Sequence, residues 1–118
     1  WPFGNRWDPA LANVADSAAL PDPTGTSRTR PVDFNPGHTD STKPLNMAGN
    51  VWEWCQDWYS DYPKETAQDP EGPSTGSIKI VRGGSFNTRA ESAWCAFRGI
   101  VAPTATQPDI GFRIAISN

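Results

Sequence analysis

The stretch from Asn46 to Trp54 holds the residues with the clearest potential for chemistry. It reads Asn-Met-Ala-Gly-Asn-Val-Trp-Glu-Trp, and so places an acid, two side-chain amides and two tryptophans around a glycine. An exposed indole forgoes the stabilisation that burial gives an aromatic ring. A buried polar group, in turn, needs a hydrogen-bond partner. The combination therefore favours a buried turn whose oxygen atoms converge on something.

Two interpretations of this turn stay open from the residues alone. In the first, a hard cation binds the Asn46 side-chain oxygen, the Gly49 and Val51 carbonyls and the Glu53 carboxylate, which are oxygen ligands of the kind that Ca²⁺ prefers. In the second, a glycine turn leads into a strand and Glu53 pairs with an arginine.

Other oxygen-rich side chains lie earlier in the chain, in or next to a long segment with many prolines and glycines at residues 20–45. A loop of this length inside a domain must be pinned by side chains, by an ion or by a partner. The candidates for holding an ion there are Asn13, Asp16 and Asp22. Solvated loop side chains are the alternative interpretation.

Cys55 and Cys95 are the two cysteines of the chain. Thiols this far apart permit one disulfide without requiring it, and their spacing fits no zinc site with the single His38. Two buried free thiols, packed as small apolar side chains, are the alternative.

Composition limits the class of protein. The 118 residues carry 10 Lys and Arg against 13 Asp and Glu. Without a basic stripe, nucleic acid is not an expected partner. No apolar run is long enough to span a membrane. Six tryptophans argue against disorder, while 12 prolines and 10 glycines predict many loops. The opening Trp1-Pro2-Phe3 favours a processed chain or a fragment of something longer.

The predicted elements are short and helix is scarce. Asp8 is expected to cap a helical segment at residues 8–13, with Pro9 at its first position. The turn around Gly49 is expected to lead into a strand that carries Trp52 and Trp54. Further predicted strands, from apolar runs bounded by turn residues, are 78–82, 92–101 and 110–117.

Six motifs occur in an order that closely resembles the formylglycine-generating-enzyme (sulfatase-modifying factor) family. The resemblance covers the whole chain, which looks like the C-terminal half of a longer domain. It implies an α+β, loop-rich variant of the C-type-lectin-like fold, with short twisted antiparallel strands and little helix, as one domain over residues 1–118. The motifs are Trp1–Asn5, Asn46–Trp54, Asp69–Pro73, Val81–Phe86, Ala96–Arg98 and Ile110–Arg113.

The resemblance favours a metal at the central turn. Calcium-binding members of the family hold Ca²⁺ at positions matching Asn46, Gly49, Val51 and Glu53, so a structural Ca²⁺ is expected here. A second family site would begin at Asn13 and Val14, but it lacks a carboxylate near Thr24-Gly25 and is not expected.

The resemblance also bears on the thiols. The oxidase members carry two cysteines shortly after the motif Gly83-Gly84-Ser85, where thiolates bind copper(I). Thr88 stands at the first of these positions, so formylglycine generation is not expected. Cys95 resembles a structural half-cystine of the family. The family's regions that match Cys55 and Cys95 lie near one another, which makes a Cys55–Cys95 bridge conceivable. Against the bridge, related oxidases pair the position of Cys95 with a cysteine outside the segment that matches Cys55, so two free thiols are favoured.

A non-catalytic branch of the family, the variable proteins of diversity-generating retroelements, suggests a binding role. Its changeable residues lie in the segment matching 86–109, where aromatic anchors and polar contacts suit binding. The candidate ligand-binding residues are Asn87, Thr88, Arg89, Glu91 and Trp94. For Trp94 and Phe97, an ordinary core strand is the favoured alternative, with one ring packed inward and the other partly exposed.

The sequence thus predicts a non-catalytic binding or structural module. Its partners would be a protein or small-molecule ligand, the missing N-terminal part or another subunit, without a membrane span. The alternative is part of an oxidoreductase whose active residues lie in a missing N-terminal region. Arg82, Arg98 and Arg113 are expected to stack on tryptophans or to pair with Glu53 and Asp57. An extracytoplasmic location is favoured, since a disulfide needs an oxidising compartment.

Overall fold

The structure is a computed structural model that describes residues 1–16, 29–33, 44–66, 68, 70 and 72–114. The expectations for Asp22, Thr24-Gly25 and His38 lie outside the described residues. No helix in the described part of the chain is long and apolar enough to cross a membrane.

Four short strands form one mixed sheet. They are β1 (Trp52–Trp58), β2 (Lys79–Arg82), β3 (Gly99–Val101) and β4 (Ile110–Gly111), in the order β3-β2-β1-β4. The β1–β2 and β2–β3 pairs are antiparallel, whereas β4 runs parallel to β1. The helical elements of the described residues are two 3-10 helices, Pro9–Leu11 and Ala90–Ala93. The prediction of a loop-rich fold with short strands and little helix is therefore confirmed.

The predicted strands were right in place, but the strand at 92–101 is shorter than predicted. The segment 92–101 forms a strand only from Gly99. Before that, Trp94 N–H donates to the Glu91 carbonyl and Phe97 N–H to the Trp94 carbonyl, so local turns use the backbone groups that a ladder needs. Of the segment 110–117, the structure describes residues 110–114, and within these the strand covers Ile110–Gly111. Beside the expected antiparallel pairs, the sheet contains one parallel pair, because β4 lies next to β1 and runs in the same direction.

The first helical segment forms as a single turn. The Asp8 carboxylate accepts a hydrogen bond from Ala10 N–H at 2.9 Å, and Pro9 occupies the first position. The cap and the proline were predicted correctly, but the helix ends at Leu11 instead of residue 13.

β1 and β2 form the centre of the sheet, with a bulge between them. Trp54 pairs with Val81 and Trp58 with Lys79, so three residues of β1 lie opposite the single residue Ile80 of β2 and the strand bends. Before the bulge, strand alternation puts Glu53 and Cys55 on the face opposite Trp52 and Trp54. The Trp52 ring lies 6.0 Å from the Phe97 ring, centroid to centroid.

Besides Ile80 and Val81, which are buried on β2, the core contains a cluster of small side chains. Ala12, Val14, Ala48, Ala90 and Ala93 form one buried cluster. The rings of Trp1, Phe3 and Trp7 pack against this cluster from outside and stay partly exposed. Among the described residues no aromatic side chain is fully buried. The tryptophans therefore cover a core of small residues instead of filling it.

The turn at 46–50 joins distant segments through its backbone. Gly49 N–H donates to the Gly83 carbonyl and Asn50 N–H donates to the Asn13 carbonyl, both at 2.7 Å. Phe86 N–H donates to the Asn50 carbonyl at 2.9 Å. Asn46, Gly49 and Asn50 all have positive φ, a region that asparagine and glycine tolerate best. The prediction of a turn leading into a strand is confirmed.

Gly49 lets the chain pass closer to Asn13 than a side chain would allow. A Cβ at Gly49 would stand 2.4 Å from the Asn13 carbonyl oxygen, whereas a Cβ at Gly4 would meet nothing within 4 Å. Both glycines have positive φ, so replacement by alanine costs each about 1–3 kcal/mol of backbone strain. Gly49→Ala should cost about 1–3 kcal/mol more than Gly4→Ala, because of the clash. Urea unfolding of the two variants measures the difference, and equal costs would contradict the close approach.

Candidate functional site

The candidate cation site lies in the turn that precedes β1. The Asn46 amide Nδ2 donates to the Val32 carbonyl at 2.6 Å, which leaves the other amide atom, Oδ1, as the group able to face a cation. Gly49 and Val51 follow in the same turn, and Glu53 is the second residue of β1. The four predicted ligands therefore follow one another in sequence along the turn and the start of β1.

Glu53 has a strong protein partner. Arg113 donates from Nε to Glu53 Oε2 at 3.1 Å and from Nη2 to Oε1 at 2.6 Å. The same Nη2 donates to the Leu45 carbonyl at 2.9 Å. The hydrogen bond to Glu53 raises the pKa of Arg113. Partial burial lowers this pKa, and the negative charge of Glu53 raises it. The predicted pairing of Glu53 with an arginine is confirmed.

The donor set fits calcium in chemical type but holds one carboxylate. In the described part of the chain no three His, Cys, Asp or Glu side chains are grouped as metal ligands, so a cation here would depend on amide and carbonyl oxygens beside Glu53. A Ca²⁺ about 5 Å from the guanidinium would be repelled by roughly 2 kcal/mol in water and roughly 7 kcal/mol at an effective dielectric of 20. The fit to calcium therefore depends on where Arg113 lies.

The second oxygen-rich group serves the backbone. Asn13 Nδ2 donates to Asn50 Oδ1 at 3.2 Å, and the Asp16 carboxylate accepts from Ala90 N–H at 3.0 Å. Asn50 Oδ1 also accepts from Arg30 N–H at 2.7 Å, and its Nδ2 donates to the Arg30 carbonyl. Part of the long loop is thus pinned by side chains, which was one of the expected possibilities.

Ser85 and Asp109 form a buried pair that the sequence interpretation missed. Ser85 is fully buried and Asp109 is 8% exposed, and the serine hydroxyl donates to Asp109 Oδ2 at 2.8 Å. The Asp109 carbonyl accepts from Trp52 N–H, which ties this pair to β1. The signal in the sequence was an acid directly before the motif Ile110–Arg113. A serine held by a carboxylate in the interior is a structural group.

Thr88 closes the turn that follows Ser85. Its hydroxyl accepts from Ser85 N–H at 2.9 Å and donates to the Ser85 carbonyl at 3.1 Å. Thr88 is partly buried, so its side chain supports the backbone of the fold, called here the frame, and contributes little to an open surface. Of the five predicted ligand-binding residues, this one acts on the backbone of its own turn.

The other four predicted ligand-binding residues lie on the surface around the second 3-10 helix. That helix buries Ala90 and Ala93 and leaves its remaining surroundings open to solvent. Trp94 is 47% exposed, and its ring meets the Trp1 ring edge-on at 5.9 Å. The exposed surface consists of Asn87, Arg89, Glu91 and Trp94. It is called here the η2 face, after the second 3-10 helix, η2 (Ala90–Ala93).

The expectation of a core strand with one of the Trp94 and Phe97 rings packed inward was wrong, since neither ring is buried. Phe97 is 38% exposed and Trp94 more so, because both lie in turns before β3 begins. Arg98 stacks on tyrosines, with its guanidinium 3.7 Å from the Tyr62 ring centroid and 5.4 Å from that of Tyr59. The expected stacking of arginine on an aromatic ring holds, but the rings are not tryptophans.

The two cysteines are free in the structure. Cys55 is half-buried on β1, and burial raises the pKa of its thiol, with Arg82 lowering it and Asp57 and Glu53 raising it. Cys95 is exposed in a turn, so the interpretation of two buried thiols is wrong for this residue. The bridge between them is absent from the structure and stays a prediction about the protein in solution.

The η2 face and the frame beneath it should differ in their tolerance of substitution. Removing the Ser85 hydroxyl leaves a buried carboxylate short of a partner, so Ser85→Ala should cost about 1.5–3 kcal/mol. Replacing Asn87, Arg89 and Glu91 together by alanine should change the free energy of unfolding by less than about 1.5 kcal/mol, because each side chain is exposed. Urea unfolding checks both, and a triple variant as unstable as Ser85→Ala would contradict the separation.

Comparison with known proteins gives several matches. A formylglycine-generating enzyme of Streptomyces coelicolor is 40% identical over 77 residues, which cover 59% of this chain and 24% of that protein. The serine/threonine-protein kinase pkn1 of Chlamydia caviae is 40% identical over 119 residues, 98% of this chain and 17% of that protein. Among solved structures, Treponema denticola variable protein 1 has a TM-score of 0.68 and 30% identity, over 87% of this chain and 34% of that one.

This chain spans about a third or less of the length of each of these proteins. The model of one family, described as the sulfatase-modifying factor enzyme 1-like domain, matches residues 1–118. Since that match runs through the whole sequence and includes the turn, the Ser85 segment and β4, the chain belongs to the formylglycine-generating-enzyme (sulfatase-modifying factor) family.

Proposed function

We propose that this chain is a binding module on a formylglycine-generating-enzyme-type frame, without the oxidase chemistry of the enzymes. The observation that carries this proposal is Thr88, whose hydroxyl closes the turn after Ser85 where the oxidases have a cysteine. The remaining thiols, Cys55 and Cys95, lie on β1 and in the turn before β3. Copper(I) chemistry at the Ser85 segment would lack its thiolate pair.

The η2 face supports a binding role. A partly exposed tryptophan held by another ring is the kind of anchor that dominates binding energies. The neighbouring side chains add a cation, an anion and an amide. None of these polar side chains has a frame role comparable to that of Ser85 or Thr88, so the face is free to suit a protein or small-molecule ligand.

The relatives give this proposal a context. One relative is named a variable protein and another a protein kinase, and this chain corresponds to a minor part of each. A frame that occurs within such different proteins suits a module that contributes recognition. Another subunit, or further chain of a longer protein, would then act with it.

A structural Ca²⁺ at the turn completes the proposal. Asn46, Gly49, Val51 and Glu53 would hold it through one amide, two carbonyl and one carboxylate group. When bound, the ion would supply positive charge to a turn that joins segments far apart in the sequence. Its role is to stabilise the frame.

The second candidate is a part of an oxidoreductase of the same family. The 40% identity to a formylglycine-generating enzyme favours it. In this case the active residues would lie in another part of a longer protein, and the η2 face would form a wall of the pocket. The two candidates differ in whether this chain carries out oxidation by itself.

An oxidase assay tests the leading proposal. The purified chain, incubated with copper(I), oxygen and a sulfatase-type cysteine peptide, should leave the cysteine unconverted, because no thiolate pair follows Ser85. Peptide mass spectrometry is the measurement, with an active formylglycine-generating enzyme as the positive control. Conversion by the chain at a rate comparable to that control would overturn the proposal.

Calcium should raise the melting temperature of the chain, and a chelator should lower it. Free Ca²⁺ at 100 times the dissociation constant would add about 2.7 kcal/mol of stability. Glu53→Gln should lose this calcium-dependent increment, whereas Glu65→Gln, at an exposed position outside the turn, should keep it. A melting curve of the unsubstituted chain that ignores both calcium and chelator would contradict the site.

A further inference from the structure

Arg113 joins the turn to β1 with a positive charge. Its guanidinium contacts both carboxylate oxygens of Glu53, at 3.1 and 2.6 Å, and the Leu45 carbonyl at 2.9 Å. A carboxylate from the strand and a carbonyl from the turn are the kinds of oxygen that a metal ion would bridge. The side chains of Arg113 and Glu53 retain 37% and 22% of their exposure, so the pair is reachable from solvent.

We propose that Arg113 is the built-in cation of this turn and that it competes with Ca²⁺ for Glu53. The competition rests on the proposed calcium site, and it assigns to Arg113 a role in setting the affinity of that site. In the absence of calcium, the guanidinium keeps the Leu45–Asn46 segment attached to β1. In its presence, the carboxylate exchanges one cation for another.

The geometry makes simultaneous binding unfavourable. The guanidinium forms a two-pronged contact that uses both oxygens of Glu53, which is the strongest arrangement for this pair of groups. Ca²⁺ needs a carboxylate oxygen at about 2.3–2.6 Å, and Glu53 is the one carboxylate among the four proposed ligands. Two positive charges sharing one carboxylate repel each other, so the ion gains the site by displacing Arg113.

Displacement would reach beyond the turn. Arg113 lies between Phe112 and Ile114, which are 76% and 80% exposed, directly after β4. The guanidinium is a tie from this exposed segment to β1 and to Leu45. Calcium binding would therefore release the tie and change the mobility of residues 112–114, which links occupancy of the turn to an apolar edge of the sheet.

Calcium titration of the full chain by calorimetry tests the competition. Arg113→Gln removes the competing charge and should raise the calcium affinity by a factor of about 5 to 150, the usual range of coupling between two binding events. Arg98→Gln is the matched control, because Arg98 is also a partly exposed arginine but contacts Ser60 and tyrosines instead of Glu53. Its calcium affinity should stay within about twofold of the unsubstituted chain.

A second variant covers the case in which Arg113→Gln does not fold. Arg113→Lys keeps the charge but loses the fork that grips both oxygens, so it should give a smaller rise in calcium affinity. Hydrogen exchange at residues 112–114 should become faster on adding calcium to the unsubstituted chain and should be calcium-independent in Arg113→Gln.

Each outcome has a defined meaning. Equal calcium affinity in the unsubstituted chain and in the folded arginine variants overturns the competition and leaves the calcium site standing. A loss of affinity in Arg113→Gln also overturns it, since the arginine would then support the site. Absence of calcium binding in all variants overturns the competition together with the calcium site, which is the separate failure of the proposed ion.

Discussion

The close backbone approach of Gly49 to Asn13 is the contact on which the rest of the structure depends. It lets one turn satisfy backbone groups of three segments that are far apart in the sequence, around Asn13, Gly83 and Phe86. Buried N–H and C=O groups must find partners, and this chain has little helix or sheet to supply them. The turn provides these partners. A Cβ at Gly49 would clash with the Asn13 backbone and would keep the turn too far from Asn13 for these hydrogen bonds.

The same close approach explains the unusual distribution of side chains. Segments that pass near one another leave room for alanine, valine and glycine, so the buried cluster is made of small residues. The large rings are left to cover this cluster, as Trp1, Phe3 and Trp7 do, with Trp94 continuing the group towards solvent. Aromatic rings stabilise contacts by area and by edge-to-face geometry, and here they do both at the rim of the core.

The buried contacts and the exposed candidate surface lie on either side of the second 3-10 helix. Below the surface, the buried hydrogen bond between Ser85 and Asp109 connects the segment after β2 to the segment before β4. Ala90 and Ala93 are the buried residues of the second 3-10 helix. Above it, the η2 face can change without disturbing these contacts. At the turn, Glu53 pairs with Arg113, and the proposed ion would compete for the same carboxylate, which connects the proposed calcium site to the exposed segment after β4.

The sequence by itself determined the family, the loop-rich fold, the glycine turn leading into β1 and the Asp8 cap, because motif order and local backbone preferences are properties of neighbouring residues. It also anticipated that Glu53 would pair with an arginine. The strand predicted over 92–101 is shortened to Gly99–Val101, because local turns use backbone groups that an apolar pattern alone assigns to a ladder. Tertiary structure decided that β4 pairs in parallel with β1. Tertiary structure also decided which arginine reaches Glu53, that Asp109 lies buried against Ser85, and that Trp94 faces solvent. The Glu53–Arg113 and Ser85–Asp109 contacts join residues that are tens of positions apart, and local sequence patterns do not encode such contacts.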